Sequence, residues 1–248
     1  MFCILLLLIS NSTLFAQKII FTFNQKTQKS YFFLGKKKIK TINGRAIMLE
    51  YENSNLLVVS LNRSIGKGIY VEGVTHLLVV NLATKKDLII PIYKDTTFES
   101  YYTPITANHD YIIVADNKKF SIYKTLDGKQ IGYKELPSMY IPNGYYDLSK
   151  VDILNNDIYF LFRYADLDNK RVSYILHIYN VKQNTFSKKD YSIPFPSSYS
   201  INSDKTHTCI FLIDSDTNKI LECLGGNFDN SQDYSYIDTE GKEIKLQK

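Results

Sequence analysis

Three times this chain writes an asparagine, one intervening residue, an Asn or Asp, and then four apolar residues. The copies are Asn53-Ser54-Asn55-Leu56-Leu57-Val58-Val59, Asn108-His109-Asp110-Tyr111-Ile112-Ile113-Val114 and Asn155-Asn156-Asp157-Ile158-Tyr159-Phe160-Leu161. Their apolar runs start at 56, 111 and 158, steps of 55 and 47, and a looser copy, Cys209-Ile210-Phe211-Leu212-Ile213, follows 51 residues later. Self-similarity at a long period marks a repeat architecture in which each copy is one small supersecondary unit. A period near 50 residues holds four short strands and their turns, so the copies predict one small antiparallel sheet per repeat. The asparagines are punctuation, and no reaction can be read from them.

Each apolar run is followed by a strand-like stretch that ends in a polar turn and resumes as another strand. The turns lie in Val80 to Leu88, Ile122 to Ile131, Ile178 to Phe186 and Tyr236 to Ile244. Asp127-Gly128 and Glu240-Gly241 supply the positive φ that tight hairpins need. Between the turns the chain is rich in Tyr, Ile, Val, Phe and Thr, side chains that pack well on a pleated surface. No stretch places apolar residues at i, i+3, i+4 and i+7 between helix caps. The expected structure is all-β, with repeats at 17–45, 46–95, 96–140, 141–195 and 196–248. Pro91, Pro104, Pro137, Pro142, Pro194 and Pro196 fall at or near the joins, where they interrupt no ladder.

The segment Asn108 to Asp116, with Phe120-Ser121-Ile122-Tyr123 and Leu126-Asp127-Gly128-Lys129 after it, resembles one blade of the YVTN-type and WD40-like β-propellers. In those, a polar turn leads into the second strand, and a strand ending in an aromatic residue or Asp precedes a Thr-Gly-Lys-like turn. The likeness extends over four segments of the chain. It implies a β-propeller-like ring of about five four-stranded antiparallel blades. No blade carries a Trp and the repeats vary in length, so an incomplete propeller and a β-sandwich stay open as alternatives. Asp233 to Lys242 also resembles a WG-type repeat. Propellers host enzymes, glycan binders and scaffolds alike, so the likeness implies a fold and no particular function.

Met1 to Ala16 contain no charged residue and hold an apolar core from Phe2 to Ile9. Such a run, ending in a small residue and too short to span a bilayer comfortably, predicts a signal peptide over 1–16. The expectation is a single propeller-like domain over 17–248, secreted or periplasmic; the alternative is a buried N-terminal strand. Cys3 lies at the start of the apolar run rather than after it, so it is not placed to carry a lipoprotein's lipid. No later stretch has the length and apolarity of a transmembrane helix. Net charge is +5, with one local run at Lys36-Lys37-Lys38-Ile39-Lys40 beside Arg45. That run is either an anion-binding patch or the solvated turn and edge of a strand, where lysines discourage edge pairing. Nucleic acid is not the expected partner of an exported chain.

Beyond the leader two cysteines remain, Cys209 and Cys223. If 209–213 pairs symmetrically with 219–223 about a turn centred on Asp216, the two face each other directly, within disulfide reach. That register would also set Leu221 on their face, and an exported protein would oxidise the pair. Asp214-Ser215-Asp216-Thr217-Asn218 begins like a calcium loop, but Lys219 stands where such a loop needs Gly, and Gly225 where it needs Glu. A hairpin turn is the better reading. His76, His109, His177 and His207 are scattered without ligand spacing, and no nucleophile elbow, phosphate loop or dinucleotide fingerprint is present. No catalytic residue, metal or cofactor is therefore assigned.

The remaining asymmetry is aromatic: 20 Tyr and 14 Phe, with doublets at Tyr101-Tyr102 and Tyr145-Tyr146 and with Tyr140 near them, all close to joins between repeats. Such tyrosines form a docking surface for protein or glycan, or else each doublet sends one ring inward and one outward as ordinary packing. The reading that results is an exported, non-catalytic binding or scaffold protein whose ligand is a protein or glycan. The competing reading is a propeller-fold lyase or hydrolase with a composite axial site gathered from several blades.

Overall fold

The computed structural model describes residues 19–34, 36–52, 56–62, 74–82, 84, 86–92, 104–137, 144–166, 171–193, 198–238 and 242–248. The chain divides into two compact units, one up to Ala46 and one from Ile47. The leader, Tyr101, Tyr102 and Tyr140 lie outside the described residues.

In the first unit β1 (Ile19–Asn24), β2 (Lys29–Leu34) and β3 (Lys37–Asn43) form an antiparallel sheet in that order. Period-2 alternation buries Ser30, Phe32 and Ile42 on one face and leaves Thr22, Lys29, Lys38 and Thr41 exposed on the other. The buried Ser30 hydroxyl is satisfied within the unit: it donates to the Gly44 carbonyl at 2.8 Å and accepts from the Ala46 N–H at 2.8 Å.

In the second unit antiparallel sheets follow one another along the chain. The first has the order β4 (Arg45–Glu52), β5 (Leu56–Asn62), β6 (His76–Asn81), β7 (Asp87–Pro91). The next holds β8 (Ile105–Ala107), β9 (Tyr111–Ala115), β10 (Lys119–Lys124) and β11 (Gln130–Glu135). The third is β12 (Gly144–Leu154), β13 (Asp157–Asp166), β14 (Arg171–Asn180) and β15 (Thr185–Ile193). A three-stranded sheet of β16 (Tyr199–Ser203), β17 (Cys209–Asp214) and β18 (Lys219–Gly226) follows, then the hairpin β19 (Ser235–Ile237) and β20 (Glu243–Lys245). The four apolar runs of the repeat are β5, β9, β13 and β17, the second strand of each sheet, and none pairs with another.

Sheet packs on sheet in chain order, which explains why those runs are continuous rather than alternating: both faces of each are buried. On β9, Ile112 and Val114 join Val58, Leu77 and Ile90 of the preceding sheet, whereas Ile113 and Ala115 join Ile153 and Phe160 of the following one. On β13, Phe160 and Phe162 face back, while Tyr159 and Leu161 meet Ile201, Ile210 and Leu212 of the next sheet. The remaining face of β17 presents Cys209, Phe211 and Ile213 to Tyr234 and Tyr236. The fold is all-β and propeller-like; a two-sheet sandwich does not describe it.

The sheet after β15 departs from the expected four strands. Beyond Gly226, at φ 99°, the chain leaves the sheet. Among the described residues the fourth position is held near Lys219, by a parallel bridge to Gln247 with bonds of 2.7 Å (Ile220 N–H to Gln247 O) and 2.8 Å (Gln247 N–H to Asn218 O).

The repeated asparagines perform two different tasks. Asn108 accepts the N–H groups of Asp110 and Tyr111 through Oδ1, at 2.9 and 2.8 Å, and so closes the turn into β9. Asn155 instead takes φ 54° in the tight turn between β12 and β13. The two turns also touch, since Asn108 Nδ2 donates to the Asn155 carbonyl at 3.0 Å.

Candidate functional site

The Tyr145-Tyr146 doublet opens β12, and strand alternation sends its rings to opposite faces. Tyr146 turns inward: it stacks on Phe162 with centroids 4.5 Å apart and planes 2° from parallel, and its hydroxyl lies 3.4 Å from His177 Nε2. Burial pushes the Tyr146 hydroxyl well above its ordinary pKa. Burial, and secondarily Lys188, hold His177 below its ordinary value, while Asp190 opposes. Tyr146 thus packs, partly buried, against Phe162 and His177.

Tyr145 is 37 % exposed. The Arg163 guanidinium lies 5.5 Å from its ring centroid. Arg163 pairs across the strands with Asp147 and with Tyr174. Its Nε is buried and, among the described residues, has no hydrogen-bond partner. A buried donor without an acceptor is costly.

At the same end of this sheet the opposite face carries a shallow cavity of about 230 Å³, lined by Tyr164, Ser173, Tyr174, Ile175, Lys188, Asp190 and Tyr191. Register explains part of the assembly, because Tyr164 opposes Ser173 and Ile175 opposes Asp190 on this face, whereas Tyr174 and Tyr191, opposed to each other, belong to the Arg163 face. Lys188 and Asp190, two apart on β15, form an ion pair of 2.9 Å at the rim. The volume is below that of ordinary small-molecule pockets and suits one side chain or one sugar ring. Tyr191 donates to Glu222 at 2.9 Å; burial first, then this bond, pushes its hydroxyl up. Burial also pushes Glu222 up, but its bonds from Lys189 and Tyr191 outweigh that and hold it below the ordinary carboxylate value.

Two buried carboxylates were not singled out from the sequence. Asp152, 8 % exposed on β12, accepts from the Thr106 hydroxyl of β8 at 3.3 Å, and from the N–H and hydroxyl of Ser203 on β16, both at 2.8 Å. It thereby ties three successive sheets through their first strands. Asp204 accepts from the Thr206 hydroxyl and from the N–H groups of Thr206, Thr208 and Cys209. Burial alone would raise it, but these bonds outweigh burial and hold it below the ordinary value. The sequence signal was a lone Asp inside Val151-Asp152-Ile153-Leu154, a polar residue in the buried end of β12.

The cysteine register differs from the symmetric one expected. Asn218 takes φ 58° in a four-residue turn, so Asp214 pairs with Lys219, and bulges then intervene between Leu212/Ile213 and Ile210/Phe211. Cys209 opposes Gly226, Cys223 opposes Phe211, and Leu221 is 41 % exposed rather than on the shared face. Cys209 and Cys223 still share one face and one cluster, as free thiols. Burial, and then the neighbouring Cys209 thiol, push Cys223 up. The Asp214 segment is the expected hairpin turn, with Asp214 Oδ1 accepting from the N–H groups of Asp216 and Thr217. The histidines are apart: His109 and His207 are exposed, His76 Nδ1 lies 2.9 Å from Thr75 Oγ1, and His177 is buried.

No family's sequence profile matches the chain. No curated protein is detectably similar to it. Among solved structures the chain is similar to a eukaryotic initiation factor, with 11% identity and a TM-score of 0.46 over 92% of this chain and 62% of that one. It is also similar to the WD40 domain of SCAP from fission yeast, at 9% identity and TM-score 0.36 over 93% of this chain and 58% of that one. Hsv2p of Kluyveromyces lactis is similar at 8% identity and TM-score 0.35, over 80% of this chain and 71% of that one. The chain thus spans less than two thirds of the first of these.

Proposed function

We propose that this protein is an exported binding or scaffold protein that engages a protein partner through the end of the sheet β12–β15. The observation that carries the reading is the buried, unpartnered Nε of Arg163 beside the half-exposed ring of Tyr145. Tyr and Arg are enriched where interfaces concentrate their binding energy, and a backbone or side-chain carbonyl would satisfy the missing bond. The shallow cavity, with Tyr164, Lys188 and Asp190, extends the contact on the other face. Export rests on the apolar leader over 1–16. It also bears on the thiols: in oxidising surroundings Cys209 and Cys223, on one face, lose two protons and two electrons to a disulfide oxidant and form a bridge.

A photo-crosslinker at Tyr145 in the native host tests the site. The expected outcome is a defined protein adduct, with the unmodified chain losing that partner on Arg163→Ala. Adducts to glycan alone, or a partner retained by Arg163→Ala, would refute it. Mass spectrometry of the native protein tests export: the expected N-terminus is Gln17, and an intact Met1 would overturn it.

A further inference from the structure

The positive charge of the chain is concentrated. Residues 17–46 contain eight lysines and arginines, namely Lys18, Lys26, Lys29, Lys36, Lys37, Lys38, Lys40 and Arg45, and no Asp or Glu. The chain as a whole is only +5, so the rest of it carries a small negative excess. Charge asymmetry of this kind points to an anionic partner.

The first unit gives this charge a shape. Its buried face is Ser30, Phe32 and Ile42. Its other face is built of cross-strand rows: Ile20, Phe33 and Lys38 in one, Thr22, Tyr31 and Thr41 in the next, Asn24, Lys29 and Asn43 in the third. Ile20 is 51 % exposed. Tyr31 and Phe33 are half-buried, and Lys29 and Lys38 are exposed. Lys38 Nζ lies over the Tyr31 ring, 5.6 Å from its centroid. An open groove beside this face is lined by Thr22, Asn24, Lys26 and Tyr31, a set of donors around one ammonium.

We propose that this sheet face docks on a membrane surface rich in anionic phospholipid. A soluble polyanion would pair with the lysines but offers no apolar phase for Ile20 and Phe33. A membrane interface accepts both: apolar side chains enter the headgroup boundary while lysine stems lie along them with the ammonium groups at phosphate level. The surface potential of anionic lipid adds attraction for every lysine near it. This inference does not depend on the β12–β15 site, which lies in the other unit.

Co-sedimentation of the full secreted chain with vesicles decides it. Binding is expected to vesicles of phosphatidylglycerol in phosphatidylcholine, to weaken as salt is raised, and to be absent with phosphatidylcholine alone. Each of Lys26→Gln, Lys29→Gln and Lys38→Gln is expected to lower the partition coefficient about fivefold, and the triple variant on the order of a hundredfold. Ile20→Ser lowers it several-fold without any change in charge, the readout that a purely electrostatic contact would not move. Lys182→Gln, an exposed lysine of the other unit, leaves it unchanged. Equal binding to both vesicle types, a triple variant that binds normally, or binding to dextran sulfate without binding to vesicles would each overturn the proposal.

Discussion

Replacing Asp152 with alanine removes one acceptor from three sheets at once. The carboxylate accepts two bonds of 2.8 Å from Ser203 and one of 3.3 Å from Thr106, and its own strand adds the Ile153 N–H at 2.8 Å. Hydroxyls can rotate toward other acceptors; the Ser203 N–H cannot. A buried donor left unpaired costs about 1–3 kcal/mol, and a bond to an ionised acceptor contributes about 1.5–3 kcal/mol. Counting the Ser203 N–H in full and the hydroxyls in part, Asp152→Ala should destabilise by about 3–5 kcal/mol. Asp152→Asn keeps the volume but turns an amide donor toward Thr106 or Ser203, for about 1–3 kcal/mol. Ser203→Ala should cost about 1 kcal/mol, and the Asp152→Ala/Ser203→Ala pair less than the sum of its parts. Urea unfolding followed by tyrosine fluorescence and far-ultraviolet dichroism gives these values if both probes coincide. Asp152→Ala within about 1 kcal/mol of the parent, or Thr106→Val costing more than Ser203→Ala, would show that the carboxylate does not tie the sheets as described.

Gly128→Ala should lower stability by at least about 1–2 kcal/mol, because φ there is 67° and a Cβ would meet Leu88 Cδ2 at 2.4 Å; unchanged thermal unfolding would contradict that turn geometry. Burial, and then Lys188, hold His177 below its ordinary pKa, with Asp190 opposing. The unfolded chain therefore binds the extra proton first, and the contribution of His177, full above about pH 6.5, is lost as pH falls. His177→Asn should flatten that part of a stability–pH curve, and a curve that keeps its slope would assign the loss to other groups. Non-reducing peptide mapping of exported protein should find Cys209 joined to Cys223 across a loop of about 15 residues, a bridge contributing up to about 3 kcal/mol before strain; two free thiols would reject it.

The repeat was legible because its cause is local. Asn108 closes a turn with its own side chain, and a strand buried on both faces must be continuously apolar, so β5, β9, β13 and β17 announced themselves. Register was not legible in β17–β18, since one left-handed Asn218 and two bulges moved the pairing by up to three residues without leaving a sequence mark. Tyr145 and Tyr146 could be found, but which ring turned outward depended on Phe162 and His177, far away in the chain. The Arg163 contact and the Asp152 tie are likewise made by strand pairing and sheet packing rather than by neighbours in sequence. The concentration of lysines before residue 46 was written in the sequence; what it lacked was the knowledge that Ile20, Phe33 and Lys38 form one row.

The last strand pair has a kinetic meaning. Three-residue strands β19 and β20, with Tyr234 and Phe228 stacked 5.4 Å apart, are what shield Phe211, Cys209 and Ile213 from water. Regions with few contacts open at far lower free energy than the body of a domain. Fraying there uncovers the apolar face of β17, whose backbone stays paired with β16 and β18, and leaves an exposed apolar patch open to association. Amide exchange should run fastest at Ser235 to Ile237 and next on β18, well before β13 exchanges at all.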